Sequence, residues 1–311
     1  MHLNRPHSFF GLLAVFIIYG CSTAGHISKD RPTPQLSNGR YTITLADQTL
    51  EIDPAAGGRI TSLRLNQEEF LIGKDINPTN WGSTFWPSPQ SAWNWPPLPE
   101  IDSQPYATTI NDQVLKLISE PDHKLGLVVT KEIWGNKKDQ SFTIKYTLTN
   151  QANKAQKVAP WEITRVFPEG ITFYPTGQSP KTGTLAPYTQ EKNGITCFAY
   201  QKEKIPAQHL KLFADGAEGW LAQVNNRLLL IKKFPDLPLG KAAPAEGEIE
   251  IYSALSKNYI EIEQQGQYTE LQPGTAITWE VTWYLRKLPG NIKAEAGNAE
   301  LTAYVRQIIN K

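Results

Sequence analysis

The sequence predicts an all-β protein: a large antiparallel β-sandwich or barrel with a short C-terminal helix. Three observations predict it. Apolar and polar residues alternate with period two in run after run, Gly, Asn, Asp and Pro punctuate the gaps, and helical spacing emerges only at the end of the chain.

The runs follow in order. "YTITLADQTLEIDP" (41–54), "RITSLRL" (59–65), "LGLVVTKEIWG" (125–135) and "FTIKYTLTN" (142–150) alternate in the first half. "WLAQVNNRLLLIKKF" (220–234), "GEIEIYSAL" (247–255), "NYIEIEQQG" (258–266) and "AITWEVTWYLRKL" (276–288) do so in the second. In "NAELTAYVRQIINK", Leu301, Tyr304, Val305 and Ile308 fall at i, i+3, i+4 and i+7, with Asn298 as cap. That helix is expected to cover an edge or open face of the sheet. No G-x-G-x-x-G, P-loop or C-x-x-C occurs, so nucleotide-binding and zinc-ribbon folds have no support.

Four segments are expected: 1–20 a lipoprotein signal peptide, 21–39 a lipidated flexible tether, 40–290 one β domain, and 291–311 the C-terminal helix. The apolar run from Phe9 to Tyr19 is too short to span a bilayer and reads as a signal core. Ile18-Tyr19-Gly20-Cys21 resembles the bacterial lipobox, which implies lipidation of Cys21 and a place in the bacterial cell envelope. Ser22 after the cysteine favours the outer membrane, by analogy with Gram-negative lipoproteins. Of two cysteines only Cys197 then remains, in the apolar run "GITCFAY", and is expected to be buried and inert. Removing Arg5 with the signal leaves 30 basic against 30 acidic residues, so charge gives no case for nucleic acid.

The most unusual stretch is "NWGSTFWPSPQSAWNWPPLPE" (80–100), which holds Trp81, Trp86, Trp93 and Trp95 out of nine tryptophans. Proline fixes φ and removes donors, so the 78–105 segment is expected to be an irregular loop and not a central strand. Indole faces match the axial C–H bonds of a pyranose in shape and quadrupole. Asn80, Ser83, Thr84, Ser88, Gln90, Ser91 and Asn94 supply neutral partners for hydroxyls. The same rings could equally plug one end of the sandwich.

On an extended strand Tyr259, Glu261 and Glu263 share one face while Ile260 and Ile262 share the other. With the isoleucines in the core, the glutamates face solvent or a concave ligand surface. In "VAPWEITRVFPEG", Trp161, Ile163 and Arg165 alternate with Glu162, Thr164 and Val166. A buried Arg165 needs an acidic or hydroxyl partner, which leaves structural pairing and ligand contact both open.

With these pieces in order the chain resembles the galactose-mutarotase-like superfamily, which includes aldose 1-epimerases. "ADQTLEIDPAAGGRITSLRLNQEEFL" is similar to that family's first strands and their "P-x-x-G-G-R-I-x-S-L" turn. "YIEIEQQGQYTELQPGTAITWEVTW" is similar to its late glutamate-bearing strand, proline-glycine turn and final strand. "NWGSTFWPSPQSAWNWPP" and "WEITRV" resemble a subfamily of uncharacterised bacterial secreted proteins and lipoproteins. The resemblance spans roughly residues 40–290 and implies a galactose-mutarotase-like supersandwich.

In working epimerases a late-strand glutamate deprotonates the anomeric hydroxyl and a histidine protonates the ring oxygen. The resemblance places Glu261 at the glutamate. The histidine has no match: His2, His7 and His26 precede the domain, and His123 and His209 lie outside any similar motif. A buried Glu162 is the substitute acid to consider. The chemistry implies no metal and no cofactor.

The expected function is therefore a lipid-tethered, extracytoplasmic protein that binds a carbohydrate in a Trp-lined cleft. Its ligand residues are Trp81, Ser83, Trp86, Gln90, Trp93, Trp95, Arg165 and Glu263. An epimerase using Glu261 as base is the alternative, and a structural envelope scaffold a third.

Overall fold

The computed structural model describes residues 1–2 and 29–310. The expected signal peptide and Cys21 lie outside the described residues.

Two antiparallel sheets face each other. The first has 11 strands, ordered Gln35–Ser37, Arg40–Leu45, Gln48–Asp53, Arg59–Leu65, Ser83–Ser88, Gln156–Val166, Ile260–Gln265, Ile249–Ser253 and Leu210–Ala214, with two short side strands. The second has 10, ordered Gln190–Lys192, Ile195–Ala199, Ile171–Pro175, Trp220–Asn225, Leu228–Lys233, Ala276–Lys287, Ser141–Asn150, Leu127–Asn136, Val114–Ile118 and Ala107–Asn111. The all-β sandwich is thus the fold. Runs 41–54 and 220–234 are each a hairpin: Asn226 and Arg227, both at positive φ, turn the second. The stretch expected as tether ends in the Gln35–Ser37 strand.

Ile43, Leu50, Leu63, Phe85, Ile144, Leu212, Ile251 and Ile262 are buried between the sheets. A polar knot crosses this core. Glu162 is fully buried, pairs with Lys232 Nζ at 2.7 Å and accepts from Tyr146 at 2.5 Å, Gln264 at 2.6 Å and Trp283 at 3.1 Å. Because Lys232, Tyr146 and Trp283 belong to the opposite sheet, the knot fixes how the two layers register. Every member has a partner, the condition under which a buried ion pair is tolerated.

The C-terminal helix Ala299–Ile309 starts at Asn298, whose side chain accepts the Glu300 and Leu301 N–H groups. Leu301, Val305 and Ile308 seat it on Phe173, Trp220, Leu229 and Ile231, on the outer face of the second sheet. Cys197 is buried in that layer as a free thiol.

The Trp-Pro segment departs from expectation. Residues Ser83–Ser88 form a strand inside the first sheet, with Pro87 opposite Pro160 on the Gln156–Val166 strand. On its other side this strand meets Arg59–Leu65 only at Ile60 and Ser83, so Pro87 lies where no ladder needs its missing donor. Pro160 sits in a similar gap, between the stretches paired with Ile260–Gln265 and Thr269–Leu271, where its carbonyl accepts Gly266 N–H at 2.9 Å.

Candidate functional site

Side chains alternate across a strand, and here the alternation sorts the first sheet into two surfaces. Phe85, Glu162, Thr164, Ile260, Ile262, Ile249, Ile251, Leu210 and Leu212 turn to the inter-sheet core. Their neighbours Trp86, Trp161, Arg165, Glu261, Glu263, Glu250, Tyr252, Lys211 and Phe213 share the other face. Register aligns them: Trp86 lies opposite Trp161, Arg165 opposite Glu261, Glu263 opposite Glu250, and Tyr252 opposite both Glu261 and Lys211.

This face floors a cleft of about 550 Å³, lined by Asn80, Trp86, Gln90, Trp95, Trp161, His209, Lys211, Phe213, Glu246, Tyr252 and Glu261. Trp95 is 57% exposed on its wall. Trp86 packs edge-on against Trp161 at 5.5 Å and Trp95 at 6.2 Å between centroids. At the rim Glu246 accepts the Gln90 backbone N–H at 3.0 Å, tying the 236–247 loop to the Trp-Pro segment.

Beneath the aromatic wall the floor is charged. Arg165 is fully buried; its Nε donates to Glu261 Oε1 at 2.7 Å and its Nη1 to Thr84 at 2.6 Å. Glu261 is 8% exposed and reaches the cleft. Lys211 Nζ bridges Glu263 at 2.6 Å and Glu250 at 2.7 Å. Both of these carboxylates are fully buried, and Trp161 Nε1 donates to Glu263 at 2.9 Å. Burial pushes Glu263 up to about 8 and Glu250 up to about 7, against the pull of the Lys211 ammonium. Burial alone would lower Lys211, but Glu250, Glu263 and Glu261 outweigh it and raise it. His209 stacks on Tyr252 with ring centroids 5.8 Å apart, and its Nδ1 shares a hydrogen bond with the Tyr252 hydroxyl.

The Trp-Pro segment is positioned from the "GGR" turn. Arg59 donates to the Thr79 and Trp81 carbonyls, each at 3.2 Å, and to Asp102 Oδ2 at 3.1 Å. Asp102 Oδ1 in turn accepts the Trp86 indole N–H at 2.8 Å. Gly57 (φ 72°) is required: a Cβ there would lie 2.1 Å from the Asp102 carbonyl oxygen.

Of the residues expected to bind a ligand, Trp86, Gln90 and Trp95 line the cleft with Glu261, while Arg165 and Glu263 support its floor. Three do not line it. Trp81 is buried between Arg59 and Lys74, whose charges lie 4.7 and 4.8 Å from its centroid. Trp93 is buried and donates to the Pro87 carbonyl at 2.7 Å. Ser83 turns to the core and bonds Thr164 at 2.7 Å. Glu162 as substitute acid is also corrected: it lies on the inter-sheet side of its strand, locked to Lys232. The tryptophans of this segment thus divide between buried packing, Trp81 and Trp93, and the cleft wall, Trp86 and Trp95.

Trp161, Lys211, Tyr252, Glu246 and His209 also line the cleft and Glu250 lies beneath it, and none of the six belongs to the ligand set expected from the sequence. Alternation in "HLKLF" and "IEIYS" already places His209, Lys211, Glu250 and Tyr252 opposite the core side chains.

A family model described as "Domain of unknown function (DUF4380)" matches residues 73–286. No curated protein matches the sequence. Among solved structures, a galactose mutarotase-like protein from Lactobacillus casei ATCC 334 superposes with TM-score 0.56 at 12% identity, covering 80% of this chain and 100% of that one. Another galactose mutarotase-like protein, from Clostridium acetobutylicum, gives TM-score 0.52 at 9% identity over 84% of this chain and 100% of that one. A TPR-domain containing protein from Parabacteroides distasonis ATCC 8503 gives TM-score 0.60 at 15% identity over 83% of this chain. This chain spans about half of that protein, 49% of its length. At these identities the likeness establishes the galactose-mutarotase-like fold.

Proposed function

The chain belongs to the DUF4380 family, and from that premise we propose that it binds a carbohydrate in the Trp86–Trp95–Trp161 cleft. One observation carries the reading: the exposed indole of Trp95 lines one cleft together with the polar side chains of Glu261, Tyr252 and Lys211. An exposed ring beside fixed hydrogen-bonding groups fits a pyranose, which has apolar C–H faces and a hydroxylated rim. The fold's likeness to galactose mutarotase-like proteins agrees with this ligand class. Isothermal titration against monosaccharides and a glycan array test it. Saturable binding that Trp95→Ala weakens supports the reading, and silence across the array ends it.

The lipobox-like sequence supports a tethered protein, anchored through Cys21 in the bacterial cell envelope at the outer membrane. Labelled palmitate incorporated by the wild type and lost in Cys21→Ser is the expected result.

His209 and Glu261 line the same cleft, and this favours one second reading, anomer interconversion. Glu261 would take the anomeric proton and His209 would protonate the ring oxygen. Polarimetry on fresh α-anomers separates the two readings. A rate above the spontaneous one, abolished in His209→Ala, supports catalysis, whereas binding without rate enhancement leaves the protein a receptor.

A further inference from the structure

A second hollow of about 160 Å³ shares Phe213 and Glu246 with the main cleft and lies at the edge of the first sheet. That edge is the Leu210–Ala214 strand, and its last partner is the irregular segment at Thr182, whose backbone exchanges hydrogen bonds with Phe213 at 2.9 and 3.0 Å. The second hollow carries Ser179, Thr182, Asp215 and Pro238. Asp215 Oδ2 accepts the Gln178 and Ser179 N–H groups at 2.6 and 3.0 Å, which fixes the carboxylate in place. Hydroxyls, a fixed carboxylate and a proline ring repeat in miniature the polar-and-apolar lining of the main cleft.

We propose that the two hollows form one groove and that its ligand is an oligosaccharide, with Phe213 as the platform between a first and a second sugar unit. This inference rests on carbohydrate binding in the main cleft and adds the length of the ligand. At about 550 Å³ the main cleft falls within the usual range of small-molecule pockets, about 300–1,000 Å³, and the extension rests on the second hollow beside it. The second hollow gives the chain a direction in which to continue, and the 236–247 loop borders both hollows through Glu246. Each further sugar that finds fixed partners adds affinity without a second association cost.

The test is a length series by isothermal titration on the whole protein. The probes are glucose, galactose, mannose and N-acetylglucosamine with their linked oligomers up to tetrasaccharides. The expected result is a di- or trisaccharide bound about tenfold or more tighter than its monosaccharide. Thr182→Trp, which fills the second hollow from an exposed position, should bring that ratio toward one. A monosaccharide bound as tightly as every oligomer overturns the groove and leaves sugar binding standing. Silence from all probes overturns both. Should Thr182→Trp fail to fold, the wild-type length series alone decides.

Discussion

The indole N–H of Trp86 reaches Asp102 Oδ1 at 2.8 Å, while the other oxygen of that carboxylate holds Arg59 at 3.1 Å. One side chain thus connects the "GGR" turn to the cleft wall. Losing it leaves a buried indole donor and a buried guanidinium short of a partner, at about 1–3 kcal/mol for each unsatisfied group. Asp102→Ala should lower the melting temperature and weaken sugar binding through a displaced Trp86. Asp102→Asn keeps an acceptor and should recover most of the binding. Equal loss in both variants, read by calorimetry and titration, would remove the positioning role.

Trp93 and Trp95 stand two residues apart and should respond in opposite ways. Trp93 is buried against Trp86, so Trp93→Ala should cost about 3–5 kcal/mol of stability, the usual range for an excised core aromatic. Trp95 is exposed, so Trp95→Ala should leave the denaturation midpoint nearly unchanged and reduce ligand affinity. Urea unfolding and titration on the same preparations check both, and a strongly destabilised Trp95 variant would contradict the platform role proposed for it.

These two residues also show what the sequence could convey. Alternation is local, so the runs at 59–65, 142–150 and 276–288, and the Asn298 cap, were legible from neighbouring residues alone. Which strands become neighbours is not local. Arg165 meets Glu261 and Lys211 meets Glu263 only because strands distant in the chain pair in one register. The proline rule misplaced 83–88 for the same reason. Pro87 is tolerated because its flank lacks a ladder partner, and only the sheet order reveals that. Four tryptophans between residues 81 and 95 mark an aromatic segment in the sequence, but sorting Trp93 inward and Trp95 outward depends on turns that Asn94 (φ 62°) and the prolines impose.

Arg165 and Glu261 should behave as a coupled pair. Arg165 is fully buried and Glu261 nearly so, and removing one partner leaves the other charge stranded, at about 3–5 kcal/mol. Glu261→Gln should therefore destabilise the protein as well as weaken binding. Combining it with Arg165→Met should cost less than the two single changes summed. Chemical denaturation of the four proteins gives the coupling energy, and additivity would mean that the 2.7 Å contact holds little of the floor together.

The Glu250–Lys211–Glu263 cluster sets a pH dependence whose direction follows from burial. Burial raises Glu263 to about 8 and Glu250 to about 7, above the ordinary 4.5. In the window between, the native state holds protons that the unfolded chain has already released. Their stabilising contribution is full below the unfolded value and is lost as pH climbs through the native ones. Glu248, also raised by burial to about 7, adds in the same sense, while Lys131, lowered by burial to about 7, works in the opposite sense above that pH, so the interval to read is about pH 5 to 7. Across it the wild type should lose melting temperature. Glu263→Gln, which keeps the shape and cannot ionise, should lose less. Because the Trp161 indole and Lys211 ammonium both bond to Glu263, ligand affinity should drift with pH in the wild type and flatten in the variant. Parallel melting curves for the two proteins would show that Glu263 carries the same proton load folded and unfolded and has no part in the pH response.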